Sequence, residues 1–267
     1  MKKVKVIILR TAGTNCEQET DFAFKSSGAE TELVHINQLA RGEKSLSHYQ
    51  IMAIPGGFTY GDDLGSGKIL ANELNSKLKN EILRFIGNRK LIIGICNGFQ
   101  VLVKSGLLPN INGQRSACLA SRQAFSVQRL EIQATLATNE SAKFEDKWIY
   151  LKPLRSKCVW TKGIKRIIHL PIAHAEGKFI PKDKNILKRL WKNKQVVFQY
   201  YRGNPNGSVD NIAGICDTTG RIFGLMPHPE RYFLPTQHPR WFREGLQKQG
   251  DGAIIFRNGV DYARRLL

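Results

Sequence analysis

Short apolar runs separated by amphipathic stretches fill the first hundred residues, and few architectures accommodate that alternation. Val4-Lys5-Val6-Ile7-Ile8-Leu9 reads as a buried strand, Thr31 to Ile36 as a second, and Ile51-Met52-Ala53-Ile54 as a third, ended by Pro55-Gly56-Gly57. Leu91-Ile92-Ile93-Gly94-Ile95 is a fourth, running straight into a helix-like stretch through Ser105. Between them, Glu17 to Ser27 ahead of Gly28 suits a helix, and residues 72 to 86 place Leu74, Leu78, Ile82, Leu83 and Ile86 at helical spacing. Strands of this kind are buried on both faces, so they pair in parallel under helices. The expected class is α/β, with a mostly parallel sheet.

From about residue 113 to 226 strands prevail, around 127–136, 147–152, 165–172, 195–201, 212–216 and 221–226. Turns such as Gly203-Asn204-Pro205-Asn206-Gly207 punctuate them. Asp251 to Leu267 closes with a helix. With no repeat, low-complexity segment or linker, one domain over residues 1–267 is the simplest expectation.

Composition narrows the class of function. A hydrophobic fraction of 42% is that of a packed globular chain, and no apolar run reaches membrane-spanning length. Arg10 ends the first apolar run too early for a signal peptide, so a cytoplasmic location and no membrane partner are expected. The cysteines, Cys16, Cys96, Cys118, Cys158 and Cys216, are odd in number and form no C-x-x-C pair, which argues against disulfides and a cysteine-based zinc site. The formal charge of +19 raises affinity for acidic surfaces. Its densest stretch, Lys182 to Lys194, rings an apolar stripe of Ile186, Leu187, Leu190 and Trp191. That pattern reads as the solvated face of a surface helix rather than a nucleic-acid site.

Three segments carry chemistry. In Gly94-Ile95-Cys96-Asn97-Gly98, an apolar strand meets a Gly-x-Cys-x-Gly turn and then a helix, the nucleophile-elbow pattern with cysteine in place of serine. The helix start behind Cys96 favours thiolate over thiol, and the Asn97 N–H is placed as an oxyanion donor. In Met226-Pro227-His228-Pro229-Glu230-Arg231, again after a strand, the prolines direct His228, and Glu230 is near enough to orient its imidazole as a base. In Ile54-Pro55-Gly56-Gly57-Phe58, Gly57 is the candidate second oxyanion donor. The remaining histidines form no metal-ligand spacing; His174-Ala175-Glu176-Gly177 is either a polar pair lining the site or a strand-end turn. No Gly-x-x-x-x-Gly-Lys-Ser/Thr loop and no Gly-x-Gly-x-x-Gly is present, so neither ATP nor a dinucleotide has its usual loop here.

Together these segments resemble the class I (triad) glutamine amidotransferases. Gly13-Thr14-Asn15-Cys16-Glu17, Gly56 to Asp62, Gly94 to Gln100, Leu170 to Phe179, Asn204-Pro205-Asn206-Gly207-Ser208 and Met226 to Arg231 carry the likeness nearly end to end. The Asn-Pro-Asn-Gly-Ser turn and the Ala-His-x-Glu-Gly segment are most similar to glutaminase subunits of phosphoribosylformylglycinamidine synthase. The sequence departs from that pattern at Ala175, where glycine is usual, and at Gly65, where arginine is common.

The resemblance implies a flavodoxin-like fold, with Cys96 as nucleophile, His228 as base and Glu230 as its orienter. Gly57 and Asn97 would form the oxyanion hole, and Gln100 would contact L-glutamine. It implies no metal or cofactor in this chain. ATP and magnesium would belong to a larger synthetase partner, accompanied by a small third subunit. Two other readings compete: a triad glutaminase serving a different ammonia acceptor, and a basic nucleic-acid-binding α/β protein.

Overall fold

A computed structural model describes residues 3–112, 131–265 and 267. In its first half, strands and helices alternate as their apolar spacing demands. Strands β1 (Lys5–Arg10), β2 (Glu30–His35), β3 (Ile51–Ile54) and β4 (Leu91–Ile95) are separated by α1 (Glu17–Ser26), α2 (Ile36–Ala40), α3 (Lys68–Lys77) and α4 (Lys79–Gly87), and α5 (Asn97–Lys104) follows β4. The helix expected over 72–86 is therefore two. The chain breaks at Leu78, where φ is −120°. Leu74, Leu78 and Ile82 all stay buried across the break, so the apolar spacing survives it.

The second half supplies β5 (Ala134–Ala137), β6 (Glu145–Pro153), β7 (Ile168–His174), β8 (Lys178–Pro181), α6 (Lys184–Lys192), β9 (Val196–Tyr201), β10 (Ile212–Cys216) and β11 (Ile222–Leu225). After β11 come α7 (Trp241–Glu244) and α8 (Ala253–Arg264). Of the strand expected around 127–136, positions 127–130 lie outside the described residues, as does Cys118. Strand β8, which pairs only with β5, was not anticipated.

The large sheet runs β2-β1-β3-β4-β11-β10-β9-β6-β7. Its first half is parallel in the order 2-1-3-4, with β11 taking the fifth place, which is the flavodoxin-like arrangement. Beyond β11 every pairing is antiparallel. The central strands β3, β4 and β11 are buried at every residue, because helices cover both faces: α1 packs with α8, and α3 with α5. Adjacent, parallel and in register, these strands deliver three loops to one edge of the sheet, the carboxyl edge where open α/β sheets place ligands. No described helix is long and apolar enough to cross a membrane.

Candidate active site

Cys96 is the first residue beyond β4, and its backbone is held at φ 51°, ψ −105°. That region suits glycine, and a side chain there costs on the order of 1–3 kcal/mol. The surroundings hold it in place. Its N–H donates to the Leu225 carbonyl of β11 at 2.8 Å, and α5 departs at once. The turn also explains the flanking glycines. A β-carbon on Gly94 would stand 2.5 Å from the Gly98 carbonyl oxygen, and one on Gly98 would stand 1.9 Å from that of Ile54. The thiol faces the Ala173 carbonyl at 3.6 Å and borders a cavity of about 240 Å³.

His228 enters the same cavity from the end of β11. Its N–H donates to the Pro171 carbonyl at 2.9 Å, which ties the segment to β7. The imidazole Nδ1 lies 2.6 Å from Glu230 Oε1, and the two side chains are only 2% and 0% exposed. A buried carboxylate without a partner is expensive, so this arrangement fixes Nδ1 as the donor to Glu230. Nε2 keeps no hydrogen-bond partner among the described residues and is left for chemistry. Burial by itself would lower the imidazole pKa; the negative charge of Glu230, reinforced by Cys96, instead holds it well above its ordinary value. His228 is therefore built to carry a proton at the cavity that Cys96 also borders.

The loop that carries Gly57 is fastened to both sides. Gly57, at φ 137°, lies so close to Gly13 and Asn15 that a β-carbon would come within 2.7 Å of their backbone atoms. Phe58 N–H and Tyr60 N–H donate to the Gly13 and Ala12 carbonyls, each at 2.8 Å. From the other side, Asn97 Oδ1 accepts from Thr59 Oγ1 at 2.8 Å, while Asn97 Nδ2 donates to Asp62 and Gln100. The Asn97 N–H, at the first position of α5, has no intrahelical acceptor. Gly65 lies at φ 99°, which explains why glycine rather than arginine stands there. Ala175 needs no such freedom, since its φ is not positive.

Cys96, Asn97, Gly57, His228 and Glu230 thus converge. Like Asn97 and Glu230, Gln100 is buried behind the residues that line the cavity, with its Oε1 accepting from Asn97 and its Nε2 donating to the Glu176 carbonyl at 2.5 Å. Glu176 braces α5 from behind through Gln100 and Lys104, and His174 anchors the same segment to Asn139. His174 Nδ1 meets Asn139 Oδ1 at 3.1 Å, and burial, followed by the nearby His228, lowers its pKa to about 4. The Asn-Pro-Asn-Gly-Ser turn belongs to this brace, because Asn206 and Ser208 both donate to the Gly177 carbonyl.

Cys16 and Arg231 were not anticipated as site residues. Both border the cavity; Cys16 Sγ lies 4.0 Å from His228 Nδ1, and Arg231 Nη2 lies 3.2 Å from that sulfur. Burial pushes the Cys16 thiol up, against a smaller downward pull from His228. Among the described residues, Cys16, His228 and Glu230 are the one group with donor atoms close enough, within 4.8 Å, to hold a metal. The guanidinium of Arg231 already occupies the cationic position beside the sulfur, and Nδ1 is committed to Glu230. A larger cavity of about 350 Å³, among Tyr150, His169, Arg202, Tyr232 and Trp241, contains none of the converging residues.

Comparison with known proteins identifies the family. Residues 3–263 match the model of the CobB/CobQ-like glutamine amidotransferase domain. The chain is 48% identical to phosphoribosylformylglycinamidine synthase subunit PurQ of Dehalococcoides mccartyi, with 100% of both chains covered. It is 42% identical to the PurQ subunit of Archaeoglobus fulgidus, with 99% of both covered. Among solved structures it is similar to a chain of PurLQS from Thermotoga maritima, at 29% identity and a TM-score of 0.74, over 98% of this chain and 99% of that one.

Proposed function

The chain belongs to the CobB/CobQ-like glutamine amidotransferase family, and we propose that it is the glutaminase subunit of phosphoribosylformylglycinamidine synthase. It hydrolyses L-glutamine and delivers the ammonia to a synthetase subunit in purine biosynthesis. The observation that carries this reading is the convergence, on one cavity, of a thiol at a strained strand-to-helix turn with a buried His228–Glu230 pair.

The reaction follows from the positions. Cys96 thiolate attacks the side-chain carbonyl carbon of glutamine, forming a C–S bond while the carbonyl oxygen takes the negative charge. The N–H groups of Asn97 and Gly57 stabilise that oxygen; removing one such donor typically costs about 10²–10³ in rate. As the intermediate collapses, the C–N bond breaks and His228 Nε2 gives its proton to the departing amine. Ammonia leaves, and a γ-glutamyl thioester remains. Water then attacks the thioester carbonyl, giving a proton to the now neutral Nε2. The C–S bond breaks, releasing glutamate and restoring the thiolate–imidazolium pair. Glu230 holds Nδ1–H throughout, so the same nitrogen faces the reacting atoms in both halves.

The relative solved as PurLQS is a complex. By analogy, this chain works with a larger synthetase subunit, which supplies the ATP and magnesium site, and with a small third subunit. Cys96→Ala in the assembled complex tests the reading. Glutamine-dependent synthesis is lost, whereas synthesis from ammonium salt persists, because only the source of ammonia has been removed. Retention of both activities removes Cys96 as nucleophile.

A further inference from the structure

Two cysteines border the cavity, and the mechanism above employs one of them. The other, Cys16, precedes α1 and is held against the end of β3, since the Gly56 carbonyl accepts both the Asn15 N–H and the Cys16 N–H, at 3.4 and 3.3 Å. Its hydrogen is directed to Asn15 Oδ1 at 3.1 Å. The remaining face of the sulfur meets two cationic or cation-forming groups, Arg231 Nη2 at 3.2 Å and His228 Nδ1 at 4.0 Å. Arg231 in turn places Nε 3.6 Å from Glu19, one turn into α1. The imidazole is confined on another side by Gly56, where a β-carbon would lie 2.8 Å from His228 Cε1 and 3.1 Å from Cys16 Sγ.

We propose that Cys16 is a positioning residue: its sulfur closes the Nδ1 edge of the His228 imidazole and anchors Arg231, so that Nε2 stays aimed at the reacting atoms. This rests on the triad reading given above. Cys16 is not a second nucleophile, because the nitrogen it faces is committed to Glu230 and cannot take its proton. A sulfur suits the place. It is large enough to touch the ring at 4.0 Å, yet too weak an acceptor to draw Nδ1–H away from Glu230. It still accepts from the guanidinium, which links the start of α1 to the His-Pro-Glu-Arg segment as a chain from Glu19 through Arg231 and Cys16 to His228.

The test is glutaminase kinetics of Cys16→Ala and Cys16→Ser in the assembled complex, across pH. For Cys16→Ala, kcat falls about 3- to 10-fold with KM within about twofold of wild type. The alkaline limb of kcat/KM moves down by about half a pH unit, because an acceptor facing the imidazolium has been removed. Cys16→Ser recovers most of the loss, as its oxygen still accepts from Arg231. Cys158→Ala, a buried cysteine away from the cavity, lowers the melting temperature and leaves the profile where it was. A Cys16→Ala profile superimposed on wild type, with only a lower melting temperature, overturns the proposal and makes Cys16 core filler. If Cys16→Ala does not fold, Cys16→Val and Cys16→Ser carry the same comparison. A glutaminase-active Cys96→Ala beside an inactive Cys16→Ala overturns the triad reading itself, an outcome distinct from the first.

Discussion

Gly98 and Ile54 meet backbone to backbone, so closely that a β-carbon on Gly98 would stand 1.9 Å from the Ile54 carbonyl oxygen. The contact presses the first turn of α5 onto the end of β3, the strand that leads into Gly56 and Gly57. The Cys96 turn and the Gly57 loop are thereby set by one piece of packing.

Gly98→Ala therefore costs more than an ordinary core substitution. Neither backbone segment can yield without moving a buried strand, so a loss above about 3 kcal/mol or failure to fold is expected. Gly87→Ala is the control: nothing lies within 4 Å of a β-carbon there, and stability should rise by about 0.5 kcal/mol. Thermal melts of the two variants decide it. Equal melting temperatures would mean that α5 is free to slide.

A diazo-ketone analogue of glutamine is expected to label Cys96 alone. Cys16 shares the cavity, but burial keeps it as a thiol, and its neighbouring histidine nitrogen is engaged. Peptide mapping that found the adduct on Cys16, Cys118, Cys158 or Cys216 would reassign the nucleophile.

Glu230→Gln lowers turnover less than His228→Ala. An amide oxygen still accepts from Nδ1–H and preserves orientation, whereas no neighbour replaces the proton carried on Nε2. The alkaline limb of Glu230→Gln also moves to lower pH, because the charge that stabilises the imidazolium is gone. Turnover of His228→Ala close to wild type in the complex would defeat the assignment.

Acid weakens the fold through His174. Its pKa is lowered to about 4 in the folded state, against an ordinary value near 6.5, so the unfolded chain takes up the proton first. The stability this neutral histidine supports is complete above pH 6.5 and is lost as pH falls from about 6.5 to 4, by up to about 3 kcal/mol. Urea unfolding at pH 7 and pH 4.5 measures it. His174→Gln should flatten that dependence; an unchanged slope would place the acid sensitivity elsewhere, with His169 the next candidate, its pKa also lowered to about 4 by burial and His238.

Much of the parallel half was legible because its strands are buried on both faces. Ile51–Ile54 and Leu91–Ile95 fall where continuous apolar runs place them. The three catalytic-type segments were legible for a related reason: glycine and proline at strand ends mark turns whose backbone has few alternatives. Strand β8 was not, since Lys178–Pro181 is short, sits at the edge of a two-stranded sheet, and has only Phe179 fully buried. Gln100 illustrates a different limit. The resemblance implies that it contacts glutamine; nothing in the sequence signals that its amide also bonds Asn97 and the Glu176 carbonyl, a link between α5 and a residue far along the chain. Cys16 was passed over because a cysteine ahead of a helix has no local signature; its meaning comes from Arg231 and His228, which only the folded chain brings to it.

Cys96 and His228 lie just beyond the ends of two neighbouring strands, β4 and β11, although strands β5 to β10 all lie between these two in the chain. A ribosome-bound chain that has finished β4 and α5 thus carries the thiol but lacks His228, Glu230 and the Leu225 carbonyl that pins the Cys96 amide. Until β11 pairs with β4, the Cys96 turn and the His228–Glu230 pair stay apart. The strand that completes the centre of the sheet also brings these groups together, and a chain truncated before it is expected to release no ammonia from glutamine.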